Sequence, residues 1–332
     1  MARRTVGLAV ERFALREPFH IAGHVFTETR VLVATVTEAG CVGRGEGAGV
    51  YYLGDDAEHM LAEAERAAPA VAAGCSRADL QALMPPGGAR NALDCALWDL
   101  EARLSGTPVW KLAGLDRPPQ PLPTLHTLGA DSPERMASAA LRIDPSAPIK
   151  VKLTGEPSLD RARLVAIRNV RPEAWIAVDA NQGYDVDGLL NLLPELERLS
   201  IAQVEQPLRR GEEAAMEGLP RAIPFVADES ALTHADTDGL PGRFDMVNIK
   251  LDKCGGLTEA LAIARRAREL GLGVMVGNMV GTSLSMAPGF LVGQLCDVVD
   301  LDGPMFLAAD RSPGVAYRRG RIHCPPSLWG LP

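Results

Sequence analysis

Basic charge, paired cysteines and long apolar runs are scarce in this chain, and each shortage removes a class of function. Against 42 Asp and Glu stand 34 Lys and Arg, for a formal net charge of -8. The basic footprint of a nucleic-acid binder is therefore missing, and no nucleic-acid partner is expected. The six cysteines, Cys41, Cys75, Cys95, Cys254, Cys296 and Cys324, stand singly with no CxxC pair, which leaves no zinc or thiol-redox framework and predicts reduced thiols. No stretch is long and apolar enough to span a bilayer. Residues 1 to 10 carry Arg3 and Arg4 and then alternate polar and apolar positions, unlike the unbroken apolar core of an export signal. The expectation is no membrane partner and a cytoplasmic location.

What is present is a globular composition, 47% hydrophobic and 23% charged over 332 residues, enough for one large barrel or two domains. The N-terminal part reads as strands followed by helices. Arg30-Val31-Leu32-Val33-Ala34-Thr35-Val36, ahead of the turn Glu38-Ala39-Gly40, points to an antiparallel meander. From Asp55 to Leu104 apolar residues recur at helical spacing, as in Ala92, Leu93, Ala96, Leu97 and Leu100, interrupted by Pro85-Pro86-Gly87-Gly88. This predicts an α+β domain over residues 1 to 117. Its boundary falls where Pro118, Pro119 and Pro121 oppose both helix and central strand.

Beyond the boundary, apolar runs at 122 to 128, 149 to 153, 175 to 179, 201 to 205, 224 to 228, 246 to 251, 273 to 277 and 298 to 302 alternate with amphipathic segments. Ala260, Ile263, Ala264, Ala267 and Leu270 make the apolar face of one crossover helix. Eight strands with helical crossovers form a parallel sheet, and eight is the number that closes a barrel. An open doubly wound sheet is the alternative. The lack of a GxGxxG loop after the first of these strands, and polar residues at almost every strand end, favour a barrel over 118 to 304, with 305 to 332 as a C-terminal segment.

Those strand ends carry the chemistry. Asp179 in Val178-Asp179-Ala180-Asn181, Glu205 in Val204-Glu205-Gln206-Pro207 and Asp228 in Ala227-Asp228-Glu229-Ser230 are 26 and 23 residues apart, one βα unit each. Three carboxylates at one end of a barrel, with no His or Cys beside them, suit a hard cation such as Mg²⁺. Taken singly, each acid could instead cap the helix that follows it. Lysine inside an apolar strand is unusual. Lys150 and Lys152 share one side of the second strand, and Lys250 ends the sixth. Lys152 and Lys250 then face each other across a substrate, where burial and a nearby cation lower a lysine pKa toward neutrality. Ion pairs with the metal-site acids are the competing reading, and they explain Lys150 best. Opposed bases beside a divalent cation fit removal and return of a proton α to a carboxylate, through an enediolate whose charge the cation offsets.

These stretches, with Asn248-Ile249-Lys250-Leu251-Asp252-Lys253-Cys254-Gly255-Gly256, resemble the enolase superfamily, in its muconate-lactonizing subgroup, over almost the whole chain. The resemblance implies an α/β fold, a (β/α)7β modified TIM barrel with an N-terminal α+β capping domain, the last barrel helix being replaced by other structure. It implies Asp179, Glu205 and Asp228 as Mg²⁺ ligands, with Asn181 and Glu229 supporting them. It also implies Lys152 and Lys250 as the acid/base pair, Lys150 at the substrate carboxylate and Thr127 as a substrate contact. Asp300-Leu301-Asp302-Gly303-Pro304 resembles the Asp-x-Asp of dipeptide epimerases, which binds the substrate's free ammonium group, a pairing that a poorly hydrated site requires. The helix around Arg90-Asn91-Ala92-Leu93-Asp94-Cys95 resembles that of alanine/glutamate epimerases and is read as packing.

In the superfamily, capping loops over the barrel mouth select the side chain, and alanine/glutamate epimerases place arginine there. Ile21-Ala22-Gly23-His24-Val25-Phe26-Thr27 and Val50-Tyr51-Tyr52-Leu53-Gly54 contain none. The expected substrate is a dipeptide whose second residue is apolar or aromatic, contacted by Phe26, Tyr51, Tyr52 or Leu53, with His24 able to accept an anion. The leading activity is two-base epimerisation at the α-carbon of that residue. N-acylamino acid racemisation, o-succinylbenzoate synthesis, muconate cycloisomerisation and non-catalytic dipeptide binding stay open. A homo-oligomer is the default for such a barrel.

Overall fold

The computed structural model describes residues 4 to 21 and 24 to 330; Ala22 and Gly23 of the first predicted capping loop lie outside them. Strands β1 (Thr5–Ile21), β2 (His24–Glu38) and β3 (Cys41–Ala48) form an antiparallel sheet. Helices α1 (Ala57–Ala72), α2 (Arg77–Leu83) and α3 (Gly88–Ser105) follow, and a short α4 (Val109–Leu112) ends this part. Asp56 and Ser76 cap α1 and α2 by accepting from the N–H groups of His59 and Asp79.

The sequence of β3 explains how α3 sits on it. Gly43, Gly45 and Gly47 alternate along the strand, and a Cβ on any of them would come within 2.1 Å of a backbone oxygen of α3. Glycine on that face lets the helix backbone lie directly against the strand. Leu32, Met60, Leu80 and Leu93 fill the core beside this contact, each worth about 1.5–3 kcal/mol of burial.

After a two-residue β4 (Leu122–Pro123), eight parallel strands follow in sequential order: β5 (His126–Leu128), β6 (Ile149–Lys152), β7 (Ile176–Asp179), β8 (Gln203–Glu205), β9 (Phe225–Ala227), β10 (Met246–Lys250), β11 (Gly273–Gly277) and β12 (Val298–Val299). The sheet curls, and the Leu125 N–H donates to the Val299 oxygen at 2.8 Å, joining its first and last strands. The run 122 to 128 is therefore two strands. Its first residues pair with a C-terminal hairpin, β13 (Ala316–Arg318) and β14 (Arg321–His323), instead of entering the barrel.

Helices α5 (Pro133–Arg142), α6 (Pro157–Val170), α7 (Val186–Arg198), α8 (Leu251–Cys254), α9 (Leu257–Glu269) and α10 (Ser283–Gly293) account for most crossovers. Leu257, Ala260, Ile263, Ala264 and Ala267 are the buried face of α9, as its spacing predicts. Two crossovers lack the expected α-helix and hold only the 3-10 turns Glu213–Met216 and His234–Gly239. Pro220 and Pro224 in one, and Pro241-Gly242 in the other, explain the loss. After β12 a 3-10 turn, Gly303–Phe306, stands in place of a helix. The chain then returns to the N-terminal domain, where the Gly330 N–H donates to Asp99 and the Trp329 indole to the Arg44 oxygen. Among the described residues no helix is long and apolar enough to cross a membrane.

Candidate active site

All four residues of β6 are buried. Its alternation turns Ile149 and Val151 toward the helices and leaves Lys150 and Lys152 facing the barrel axis. The register sets Lys152 beside Asp179 and Asp179 beside Glu205 on neighbouring strands, and Asp228 follows the end of β9. Carboxylate oxygens of Asp179, Glu205 and Asp228 all lie within 4.8 Å of one another.

Lysines surround this cluster. Lys152 Nζ donates to Asp179 Oδ2 at 2.6 Å and to Asn181 Oδ1 at 3.0 Å, and Lys250 Nζ donates to Asp228 Oδ2 at 2.7 Å. Lys150, 2% exposed, donates to Asp300 Oδ2 at 2.8 Å and lies 3.1 Å from Asp179 Oδ2. Its Nζ also lies 2.8 Å from Glu205 Oε2, an ion-pair contact without hydrogen-bond alignment, so that oxygen keeps no hydrogen-bond partner.

Burial does push Lys150 and Lys250 down, but Asp300, Glu205 and Asp179 around Lys150, and Asp228 beside Lys250, outweigh it and hold both above the ordinary lysine range. Burial likewise pushes Asp179 and Asp228 up. Lys152, Lys150 and Lys250 at the first, and Lys250 and Lys253 at the second, hold both below the usual carboxylate range. Glu205 is pushed up to about 7 by burial and by Asp179, and Glu229 to about 8 by burial, Asp228 and Asp179.

The donor set fits a divalent cation. Asp179, Glu205 and Asp228 are fully buried and bring their carboxylate oxygens together, an arrangement that a cation between them relieves. Oxygen-only ligands suit the same ion.

Two supports are not evident from the sequence. Asn248 Nδ2 donates to Glu205 Oε1 at 2.8 Å. Lys253 Nζ, buried, donates to Asp228 Oδ1 at 2.6 Å and to the Asn248 oxygen at 3.1 Å. Lys253 stands three residues after Lys250, so the short α8 carries it back beneath the same acid; that spacing was its only signal.

Above the cluster opens a cavity of about 470 Å³ that Lys152, Lys250, Asn181, Asp228 and Glu229 share with Phe26, Tyr51, Tyr52, Met279 and Val280. Asn181 Nδ2 reaches Glu229 Oε1 at 3.5 Å. Tyr51 packs edge-on against Phe26 and Tyr52, at 5.4 and 5.2 Å between ring centroids, and His24 lies 4.6 Å from Tyr51 on the far side. Leu53, 45% exposed, is turned to solvent and does not face the cavity. An arginine does line it: Phe26, Glu28 and Arg30 alternate on one face of β2, and Arg30 pairs with Glu58. Alternation through the strand was the signal that a reading confined to the loops missed.

Asp300 and Asp302 are both buried, and neither lines this cavity; Asp300 lies against Lys150. Asp302 Oδ2 accepts from the Thr127 N–H at 2.7 Å, and burial and Asp300 push its carboxyl up to about 7. Asp300 Oδ1 has no hydrogen-bond partner. Helix α3 reaches the site from the other domain. Arg90 donates to the Cys254 and Gly255 oxygens, Asn91 to Asp252 Oδ1 at 2.8 Å, and Asp94 accepts from the Thr258 N–H at 2.9 Å. Gly255 and Gly256 have positive φ, and a Cβ on them would strike Arg90 and Asp94. The helix read as packing therefore also fixes the turn that follows Lys250.

Comparison with known proteins agrees with this geometry. Residues 3–114 match the family described as mandelate racemase / muconate lactonizing enzyme, N-terminal domain, and residues 135–330 match enolase C-terminal domain-like. The L-Ala-D/L-Glu epimerase of Escherichia coli (strain K12) is 38% identical, the alignment covering 96% of this chain and 99% of that one. An enolase family member from Agrobacterium tumefaciens with homology to dipeptide epimerases, solved with sodium and L-Ala-L-Glu, is 41% identical with a TM-score of 0.93 over 98% of this chain and 100% of its own. A dipeptide epimerase from Methylococcus capsulatus, solved with Mg and L-Arg-D-Lys, is 31% identical with a TM-score of 0.89 over 100% of both chains. The chain belongs to the enolase superfamily, with the N- and C-terminal domains of its mandelate racemase and muconate lactonizing enzyme branch.

Proposed function

We propose that this chain is an isomerase, a Mg²⁺-dependent dipeptide epimerase that inverts the α-carbon of the C-terminal residue by proton transfer between two lysines. The observation that carries it is the placing of Lys152 and Lys250, from the second and sixth barrel strands, on one cavity beside the three-acid cluster. In this reading residues 1 to 117 cap the barrel of 118 to 304, and 305 to 332 return to the cap.

Asp179, Glu205 and Asp228 would hold the ion, which when bound supplies positive charge against the substrate carboxylate. Lys150, fixed among acids, adds a permanent positive charge there. One of Lys152 and Lys250 takes the α-proton at its Nζ, and the other delivers a proton to the opposite face; the two exchange roles between epimers. Aromatic and aliphatic groups over the cavity exclude water from the reacting carbon.

Asp300 and Asp302 hold the substrate ammonium. Asp300 Oδ1 is buried without a partner and Asp302 is pushed up to about 7, so a cation is favoured there. A dipeptide brings an ammonium for Asp300 and Asp302, whereas an N-acyl substrate brings none. Phe26, Tyr51, Tyr52, Met279 and Val280 favour an apolar or aromatic side chain on the inverted residue, Arg30 being engaged by Glu58.

The test is solvent exchange. With Mg²⁺ in D₂O, L,L-dipeptides should gain one deuterium at the C-terminal α-carbon with altered chirality, and EDTA should stop it. A preference for L-Ala-L-Glu over L-Ala-L-Leu and L-Ala-L-Phe overturns the apolar pocket. Exchange in N-acylamino acids with none in dipeptides overturns the ammonium site.

A further inference from the structure

We infer that the site continues past Asp302 into a second cleft, between the N-terminal domain and the barrel, which takes the side chain of the substrate's N-terminal residue when that side chain is large and apolar. The inference rests on the dipeptide reading above and adds the place of the substrate's other end. The cleft measures about 560 Å³, within the range of small-molecule sites, and lies between residues 16 to 20 of β1 and the start of the barrel at β5 and α5.

Two contacts tie it to the site. Phe19 lines both cavities and packs on Phe306 with ring centroids 4.6 Å apart, so one aromatic pair is the partition between them. Thr127 lines the cleft, and its N–H donates to Asp302. An ammonium drawn to the unpartnered Asp300 Oδ1 thus brings its own α-carbon to the cleft's inner end, with the peptide running back toward the lysines.

Met136, Ala139 and Met305 line the cleft beside the two rings, among the charged Arg16, Glu17, Glu134 and Arg142. The rim mixes charges, Asp131 lying 3.5 Å from Arg135, so neither sign of side chain is favoured there. Gly129 keeps the inner end open: a Cβ at that position would lie 3.4 Å from the Phe19 ring and 3.2 Å from the His20 oxygen.

The experiment compares α-hydrogen exchange in L-Ala-L-Leu and L-Phe-L-Leu, which differ only at the N-terminal residue. The native chain should turn over L-Phe-L-Leu with kcat/KM at least equal to that of L-Ala-L-Leu. Ala139→Trp should lower the ratio of the two more than tenfold, and the milder Ala139→Leu should lower it in the same direction, with melting curves and Mg²⁺ titration checking that each variant folds. Exchange in L-Ala-L-Leu but not L-Phe-L-Leu, or an unchanged ratio in both variants, overturns the cleft and leaves the dipeptide reading standing. No exchange in either, nor in L-Ala-L-Glu, overturns both; exchange in L-Ala-L-Glu alone overturns the cleft and leaves the dipeptide reading standing.

Discussion

On the barrel side of the cavity, Lys150, Asp179, Glu205, Asp228 and Lys250 are each 6% exposed or less, and lysine nitrogens sit 2.6 to 2.8 Å from the carboxylates that hold them. On the side facing them, His24, Phe26, Tyr51 and Tyr52 touch through rings whose centroids are 4.6 to 6.1 Å apart, and the Tyr52 hydroxyl is buried without a partner. Directed, charge-assisted bonds fix one half, and non-directional contact forms the other. Reaction chemistry tolerates little displacement and belongs on strand ends. Selection of a side chain needs only shape, and loops suffice for it.

The sharpest break between the halves is kinetic. Lys250→Ala should lower α-hydrogen exchange by on the order of 10³-fold, the range of a positioned acid or base, while Tyr51→Ala should change kcat/KM by about tenfold and differently for each substrate. Equal losses in exchange rate assays would erase the division.

Next in size is the metal. Glu205→Gln removes one of three clustered carboxylates, and calorimetric titration should show at least tenfold weaker Mg²⁺ binding, on the order of 1.4 kcal/mol. The same substitution at Glu28, on the facing side, should leave that titration unchanged.

The seam between the halves gives the pH dependence. Burial pushes Asp252 up from 3.8 to about 7, against the hydrogen bonds it accepts from Ala48 and Asn91. Its ionised form therefore opposes folding: the cost is absent well below pH 3.8, where folded and unfolded chains both carry the proton, grows as pH rises, and is complete above about pH 7. Asp252→Asn keeps an acceptor oxygen for both donors, so it should raise Tm at pH 8, by up to about 4 kcal/mol of stability, and the gain should fall away as the pH is lowered toward 3.8 and below. A gain that grows toward acid pH would sink this account.

The smallest effect is expected at the Tyr52 hydroxyl. Tyr52→Phe removes a buried group with no partner and should leave Tm equal or slightly higher.

The same division decides what the sequence discloses. Carboxylates one βα unit apart, and lysines inside an apolar strand, are visible because each breaks a local rule, and Lys152, Lys250 and Asp228 line one cavity, with Asp179 and Glu205 clustered on Asp228. Lys150 as an ion-pair partner of the acids is legible for the same reason. Arg30 and Lys253 were not singled out, since an arginine in a strand and a lysine in a helical turn break no rule; only the fold brings them to the site. Leu53 was placed in the pocket by sequence nearness to Tyr52, but the 3-10 turn Tyr51–Leu53 rotates it outward. The ion pairs of Lys250 with Asp228 and of Lys152 with Asp179 join different strands and follow from the barrel's closure.

The bonds from Arg90, Asn91 and Asp94 to the turn after Lys250 have a mechanical consequence. Swinging the N-terminal domain away as a rigid body would tear a buried guanidinium and carboxylate from the turn that follows Lys250. The two domains are therefore coupled at this turn, and a substitution that loosens helix α3 is felt at Lys250 as well as in the N-terminal core.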